Sequence, residues 1–274
     1  MRIRFVGSFV LVVALLAVST ALLAQTPAQQ GSAKAQAGTP IRTAAGTPDL
    51  SGVWLVQPPF SFSREEPPMT PWGESQYKAH TSGTTVFGTA GSGYKDVSNE
   101  ESINPIYLCN PYGIPRVYLD PHPFKIISTT SGEIIFLLES GNMFREIYMD
   151  GRGHPEDPDP QWFGHSTGKW DGDTLVIDTV GFNDRTWLDQ RGHPHSDAMH
   201  TVERWRRIDH ETLQLDITIE DPKAYTKTWS GQRSFKLKPW DIGESICTVG
   251  NEINYERKAV VPLGGSGAFE QSGK

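Results

Sequence analysis

Histidine and carboxylate side chains concentrate in one stretch of this sequence, and they are the groups that move protons near neutral pH. Six of the eight histidines lie between His154 and His210. A histidine beside a carboxylate is held in one tautomer and can then act as a general acid or base. We predict such catalytic roles for four residues: His165, Asp178, His195 and Glu203.

The same stretch contains arginine, tryptophan and loop carboxylates, which are typical of small-molecule sites. Loops at strand ends are a usual place for function, and indole rings stack on sugars or other rings. The predicted ligand-binding residues are Arg145, Asp150, Arg152, Asn183, Trp187, His200 and Trp205.

Other kinds of chemistry are disfavoured by the spacing of their residues. His193 and His195 lie close to His200, but this spacing matches no zinc-protease motif and the intervening proline restricts its geometry. The sequence has no Gly-x-Ser-x-Gly elbow, and the glycine-rich stretch 87–94 lacks the lysine of a phosphate loop. We therefore predict neither a metal site nor a cofactor.

The N-terminus has the layout of a secretory signal. Arg2 and Arg4 precede an apolar run that ends near Leu23, and Ala24 completes a small-residue cleavage site. The predictions are a signal peptide over residues 1–24 and a periplasmic or secreted location. An uncleaved membrane anchor is the alternative, because the run is nearly long enough to span a bilayer. With the signal cleaved, we expect no stable membrane insertion.

Composition divides the rest of the chain. Residues 25–47 and 262–274 have the character of a disordered linker and a flexible tail. Residues 48–261 are predicted to form one β-barrel domain, which is long enough for a single core. Residues 58–105, rich in Pro, Gly, Ser and Thr, interrupt it as a long excursion with at most a short helix near Glu74–His80.

The net charge of −7 disfavours nucleic acid and anionic membranes as partners, since both require a basic surface. A small molecule, such as a carbohydrate or another ring compound, is the partner that the aromatic residues favour. The two cysteines, Cys109 and Cys247, are predicted to form a disulfide in an oxidising compartment. Two buried free thiols are the alternative.

Strand-like runs, among them 162–170 and 244–249, alternate with turn signals through the predicted domain. In 213–219 every second residue is apolar, and Asp171-Gly172 joins two such runs as a hairpin. Consecutive hairpins predict an all-β fold, an antiparallel meander closed into a lipocalin-like β-barrel of about 8–10 strands. A β-sandwich is the alternative. The run 201–208 carries charge on both faces, which is typical of either a polar interior or an exposed edge strand.

Two resemblances support this fold. Gly52-Val53-Trp54 resembles the Gly-x-Trp opening of lipocalin-type barrels. Most of the chain after residue 48 is similar to a group of uncharacterised exported bacterial proteins, a resemblance that implies no activity. Its motifs here are Pro48-Asp49-Leu50-Ser51-Gly52-Val53-Trp54, Met149-Asp150-Gly151-Arg152 with His154-Pro155, Gly164-His165-Ser166, Trp170-Asp171-Gly172-Asp173-Thr174-Leu175-Val176, Asp178-Thr179-Val180-Gly181-Phe182-Asn183, Pro194-His195-Ser196 and Glu203-Arg204.

Three functions fit these observations. The first is an exported barrel that binds a small molecule in an aromatic-lined pocket containing histidine and carboxylate groups. The second is a cofactor-independent lyase, isomerase or hydrolase that uses a His/Asp or His/Glu pair. The third is an envelope structural domain without a pocket. Convergence of the four predicted catalytic residues in one cavity favours the enzyme, and their scatter over the outside counts against an enzyme built on them. A deep apolar cavity without titratable groups favours binding alone, and a filled interior favours the structural domain.

Overall fold

The computed structural model describes residues 41–59, 61–62, 66–81, 104–129 and 133–247, which all lie within one compact unit. The predicted signal, residues 25–40 of the predicted linker, the tail and parts of the excursion lie outside the described residues. Within the described ranges, no helix has both the length and the apolarity needed to cross a bilayer.

Nine strands of the described ranges form a single sheet in which every hydrogen-bonded pair of neighbouring strands is antiparallel. The strands are β1 (Gly52–Val56), β2 (Phe124–Ser128), β3 (Ile134–Leu138), β4 (Met143–Ile147), β5 (His165–Asp171), β6 (Thr174–Val180), β7 (His200–Arg207), β8 (Thr212–Glu220) and β9 (Trp229–Lys238). Their order is β4-β3-β2-β1-β9-β8-β7-β6-β5. Strands that follow one another in the chain are paired, except β4 and β5, which lie at opposite ends of the sheet, and β1 also pairs with β9.

The two end strands of the sheet, β4 and β5, approach each other and nearly close it into a barrel. Tyr148, just after β4, forms a parallel bridge with Thr167 of β5. Its backbone N–H donates to the carbonyl of Ser166 at 3.0 Å, and its carbonyl accepts from Gly168 at 2.8 Å. Closure satisfies the edge groups that an open sheet leaves unpaired. The predicted all-β barrel of 8–10 strands is confirmed, and the sandwich alternative is not.

Alternation along the strands determines what lies inside. In β8, Leu213, Leu215, Ile217 and Ile219 are at most 1% exposed, while the residues between them point outward. The hairpin between β5 and β6 turns at Gly172, whose φ of +57° is accessible to glycine without strain. A period of two residues in the sequence therefore becomes an apolar interior and a polar outer wall.

Aromatic side chains fill the interior of the barrel. Trp54, Phe136, Trp205 and Phe235 are fully buried. Tyr118 enters from a short 3-10 turn, and its ring centroid lies 5.0 Å from that of Trp205 in an edge-on contact. Rings packed at this distance contribute dispersion and quadrupole attraction beyond their buried area.

In the described part of the excursion there is one α-helix, α1 (Pro71–Thr81), which confirms the helix predicted near Glu74–His80. It begins with Thr70, whose hydroxyl accepts from the backbone N–H of Gly73 at 3.1 Å, and with a proline in its first turn. Gly73 packs against a backbone carbonyl so closely that an added Cβ would lie 2.2 Å from its oxygen. The excursion therefore packs against the segment that follows β8.

The predicted disulfide is confirmed. Cys109 and Cys247 are bonded with Cα atoms 5.5 Å apart and a sequence separation of 138. A covalent loop of this length stabilises the fold by up to about 5 kcal/mol in the chain-entropy model.

Two strand predictions need correction. The run predicted as a strand over 244–249 is irregular over 244–247, where Ser245 N–H donates to the Asn142 side chain, and its remainder lies outside the described residues. The strand predicted from Trp162 begins only at His165, because Gly164 adopts a φ of +64° that ends extended pairing before it.

Candidate functional site

The four residues predicted to be catalytic do not converge. His165 and Asp178 point outward from β5 and β6, whereas Glu203 points inward from β7 and is fully buried. His195 is buried in the loop between β6 and β7. Side chains of opposite parity on neighbouring strands lie on opposite faces of a sheet, so this separation follows from register.

His165 and Asp178 instead join two other histidines on the outer wall, in a group that we call the histidine cluster: His154, His165, Asp178 and His200. One carboxylate oxygen of Asp178 lies 3.0 Å from Nε2 of His154 and 3.0 Å from Nε2 of His200. Nδ1 of His154 lies 2.9 Å from Nδ1 of His165. The Asp178 carboxylate therefore links His154 and His200 directly, and His165 joins them through its hydrogen bond to His154.

The hydrogen bonds fix which nitrogens carry protons. A carboxylate oxygen only accepts, so both His154 and His200 must donate from Nε2 to Asp178. Neutral His154 then has a lone pair on Nδ1, and His165 donates its Nδ1 proton to it. No described residue forms a hydrogen bond with Nε2 of His165, so in this arrangement that lone pair is free to accept a proton.

The surroundings of the cluster keep His165 neutral. Burial, followed by the charges of His154 and Arg152, lowers the pKa of His165 from its usual 6.5. Its ring stacks on Tyr148 at a centroid distance of 5.2 Å. The cluster is open to solvent, with side-chain exposures of 22% for His154, 33% for His200 and 44% for Asp178.

Arg152 and Asp150 lie at the edge of the cluster. The Arg152 guanidinium lies over the Tyr148 ring, 4.1 Å from its centroid, and forms an ion pair with Asp150 at 2.5 Å. Hydrogen bonds from Arg152 lower the pKa of Asp150 to about 2. Two predicted ligand-binding residues are thus brought beside the cluster. A third, His200, belongs to the cluster, and its Nδ1 lies 3.7 Å from Glu220.

The loop between β4 and β5 brings His154 to this wall. Gln161, late in this loop, donates its backbone N–H to the carbonyl of Gly181 at 2.9 Å and so ties the loop to the end of β6. Gly164 sits so close to β6 that an added Cβ would lie 2.6 Å from the carbonyl of Val180. His154 and Tyr148 were not among the predicted site residues. The motif that contains His154 could have pointed to this residue in the sequence. Its contact with Asp178 of β6, however, depends on closure of the barrel.

Arg145 and Glu203 form a buried ion pair inside the barrel. The guanidinium nitrogens of Arg145 lie 2.8 and 2.9 Å from the two oxygens of Glu203, and both side chains are at most 1% exposed. Arg145 also donates to Ser166 at 3.0 Å and Thr179 at 2.8 Å. Because these partners lie on β5, β6 and β7, the arginine of β4 ties together the strands on both sides of the closure.

Two more aromatic groups complete this network. Trp205 donates its indole N–H to Glu203 at 3.0 Å, and Arg145 makes a short hydrogen bond to the hydroxyl of Tyr118. Burial raises the pKa of Tyr118 well above its usual value. For Arg145, burial opposes the charge, but Glu203 and Tyr118 outweigh it and raise the pKa. Arg145 and Trp205, predicted to bind ligand, thus lie in the interior.

The two faces of β7 carry different charged residues. Glu203 and Arg207 point inward, whereas Arg204 and Arg206 point outward and pair with Asp171 and Asp216. The edge-strand alternative is wrong because β7 lies between β6 and β8. Of the two alternatives, the polar interior is the one that the structure contains.

His195 has both ring nitrogens occupied. Nδ1 donates to the carbonyl of Ser196 at 3.2 Å, so Nε2 accepts from the Thr186 hydroxyl at 2.6 Å. Burial lowers the pKa of His195, which keeps the ring neutral. With no free lone pair, it has no means of taking a proton from a ligand.

The remaining predicted residues and loop histidines also have structural partners. Trp187 stacks on His80 at 4.8 Å, and the Asn183 side chain accepts from the backbone of Arg185 in a turn. His193 lies between Asp189 and Glu66, with 2.6 Å to each. In the part of the chain that the structure describes, no three His, Cys, Asp or Glu side chains are arranged to hold a metal ion.

Three comparisons were made with known proteins. No protein-family model, curated protein or solved structure matches this chain. The resemblance to uncharacterised exported proteins therefore stays a prediction, and function is inferred from the histidine cluster itself.

Proposed function

We propose that the protein is an exported barrel that binds a small organic molecule at the histidine cluster and transfers a proton to or from it without a cofactor. The observation that carries this proposal is the continuous line of hydrogen bonds from His165 through His154 to Asp178. Under this proposal, the outer wall of the barrel carries both the binding and the acid–base functions predicted from the sequence.

The proton path follows from the tautomers. Nε2 of His165 accepts a proton from the ligand, and the Nδ1 proton of His165 passes to Nδ1 of His154, the two nitrogens being 2.9 Å apart. The positive charge then lies on His154, whose Nε2–H faces the Asp178 carboxylate at 3.0 Å. Returning the proton along the same line lets His165 act as an acid, as lyase, isomerase and hydrolase reactions require.

The composition of the surrounding wall supports binding of a small polar molecule. Tyr148 supplies a ring, and Arg152 with Asp150 supplies exposed charged hydrogen-bonding groups beside it. The lowered pKa of His165 supports its role as a base, because the ring is neutral at neutral pH. The signal-like N-terminus and the disulfide support an oxidising location outside the cytoplasm.

A structural domain of the cell envelope is the second candidate. The observation that favours it is the interior, where aromatic rings and the Arg145–Glu203 network occupy the space that a lipocalin-type ligand would take. Under this alternative the histidine cluster is a surface hydrogen-bond network with no ligand.

A paired screen tests the proposal. Ligand-observed NMR with a library of small ring compounds, followed by hydrolysis and isomerisation assays on the binders, is run on the wild type and on Asp178→Asn. The matched control is Asp171→Asn, an outer carboxylate that pairs with Arg204 away from the cluster. We expect binders whose turnover falls about 100-fold or more in Asp178→Asn and stays unchanged in the control. Absence of any binder sensitive to Asp178→Asn would favour the structural domain.

A further inference from the structure

A pocket lies beside the disulfide, away from the histidine cluster. Its volume is about 480 Å³, within the roughly 300–1,000 Å³ typical of small-molecule sites. Three segments build its walls, namely 109–112, 140–143 and 245–247, together with Ile106 and His122. The disulfide joins the first and third of these segments covalently and so holds two walls of the pocket at a fixed separation.

We propose that this pocket binds an uncharged aromatic molecule that carries a hydroxyl group. The absence of formal charge in the walls is the first argument. Among the described residues, twelve line the pocket, and none of them is Asp, Glu, Lys or Arg. A carboxylate, phosphate or ammonium ligand would lose its hydration there without gaining a permanent counter-charge, which is unfavourable.

The sulfur atoms are the second argument, because they favour an aromatic ring over an aliphatic one. Met143 and both cysteines of the disulfide line the pocket, together with Ile106 and Ile246. Thioether and other divalent sulfur is polarizable and makes favourable contacts with ring edges.

Polar groups at the same pocket account for the hydroxyl. Nδ1 of His122 lies 3.0 Å from both oxygens of the buried Asp120 carboxylate, which orients the ring. No described residue forms a hydrogen bond with Nε2 of His122, so this nitrogen is available to a ligand. A hydroxyl group suits it, since it can donate to the neutral imidazole or accept from the protonated one.

The test measures binding of tyrosol and vanillyl alcohol to the full-length oxidised protein by saturation-transfer NMR. Benzoate, benzylamine and cyclohexanemethanol serve as the anionic, cationic and aliphatic comparison compounds. Two variants probe the pocket: Ile246→Asp adds a charge to an exposed wall residue, and Tyr112→Phe removes a lining hydroxyl. Ile208→Asp is the matched control, because Ile208 is also exposed but does not line the pocket.

We expect both aromatic alcohols to bind, with affinity reduced about tenfold by Ile246→Asp, equivalent to about 1.4 kcal/mol, and unchanged by Ile208→Asp. The comparison compounds should bind more weakly than the alcohols. The proposal is overturned if neither alcohol binds, if both Asp variants weaken binding equally, or if a comparison compound binds as tightly. Should Ile246→Asp lose its folded circular-dichroism spectrum, Tyr112→Phe decides: weaker binding of the alcohols supports the proposal and unchanged binding overturns it. No residue of the histidine cluster lines this pocket, so either proposal can fail alone.

Discussion

Replacing Arg145 by methionine is expected to lower the free energy of unfolding by about 3 to 5 kcal/mol, because it leaves a buried carboxylate without its cation. Glu203 is fully buried, and without Arg145 it keeps only neutral hydrogen-bonding groups beside it, among them the Trp205 indole N–H at 3.0 Å. Ser166 and Thr179 lose their guanidinium partner as well, although they can still bond to each other at 3.2 Å.

The size of this effect shows whether the Arg145–Glu203 ion pair stabilises the fold or is dispensable. For a domain of about 200 residues, each kcal/mol shifts the melting temperature by about 2 to 4 °C, so the expected loss is about 6 to 20 °C. Arg204→Met is the matched control on β7. Arg204 pairs with Asp171 on the outer wall with 46% of its side chain exposed, so its loss should change stability by about 0.5 kcal/mol or less.

The assay is guanidinium-induced unfolding followed by tryptophan fluorescence, since Trp205 lies in the network. A double-mutant cycle with Glu203→Gln separates the pairwise term from the effect of each substitution alone. We expect the double variant to be more stable than the sum of the single losses implies, because it leaves no unpaired buried charge. If Arg145→Met costs no more than Arg204→Met, the reasoning about closure of the barrel is wrong.

Three further predictions follow from other parts of the fold. Reduction of Cys109–Cys247 should lower the free energy of unfolding by about 2 to 5 kcal/mol, measured by denaturation with and without dithiothreitol. Gly73→Ala should destabilise the protein by about 1 to 3 kcal/mol and speed hydrogen exchange in α1, because the new Cβ meets a carbonyl oxygen. His195 has a lowered pKa, so the unfolded chain binds its proton more readily. Its stability contribution is therefore present above pH 6.5 and falls as the pH drops below that value, measured by denaturation of the wild type and His195→Gln across this range.

Each of these predictions has a control and a contrary result. Gly153→Ala should be neutral, because its added Cβ meets nothing within 4 Å; equal exchange in both glycine variants would contradict close packing of α1. A parallel decline of wild type and His195→Gln below pH 6.5 would show that His195 does not cause it. Unchanged denaturation after verified reduction would show that the disulfide adds no stability.

Local patterns in the sequence were sufficient to predict the architecture. Alternation in 213–219 and the Asp171-Gly172 turn report on backbone geometry over a few residues, and both appear as predicted in β8 and the β5–β6 hairpin. The disulfide followed from the number of cysteines and the expected compartment. These features depend little on the distant parts of the chain.

Which residues come together in the site depends on contacts between parts of the chain that are distant in sequence. The alternation of apolar and polar residues alone could not predict these contacts. The run 201–208 has charge on both faces, so its pattern left open whether Glu203 or His200 points outward. A change of register by one residue exchanges the two. Tyr118 reaches the interior from a turn, and His154 reaches the outer wall from a loop. No periodicity in the sequence marks either position.

The central claim is that His165, His154 and Asp178 form a line along which a proton moves, and nitrogen NMR of histidine-labelled protein tests it most directly. We predict that neutral His165 carries its proton on Nδ1 and His154 on Nε2, that His165 protonates below pH 6.5, and that Asp178→Asn alters the tautomers of both rings. Asp171→Asn should leave both spectra unchanged. A His165 that carries its proton on Nε2, titrates as a free imidazole does and is insensitive to Asp178→Asn would contradict the account.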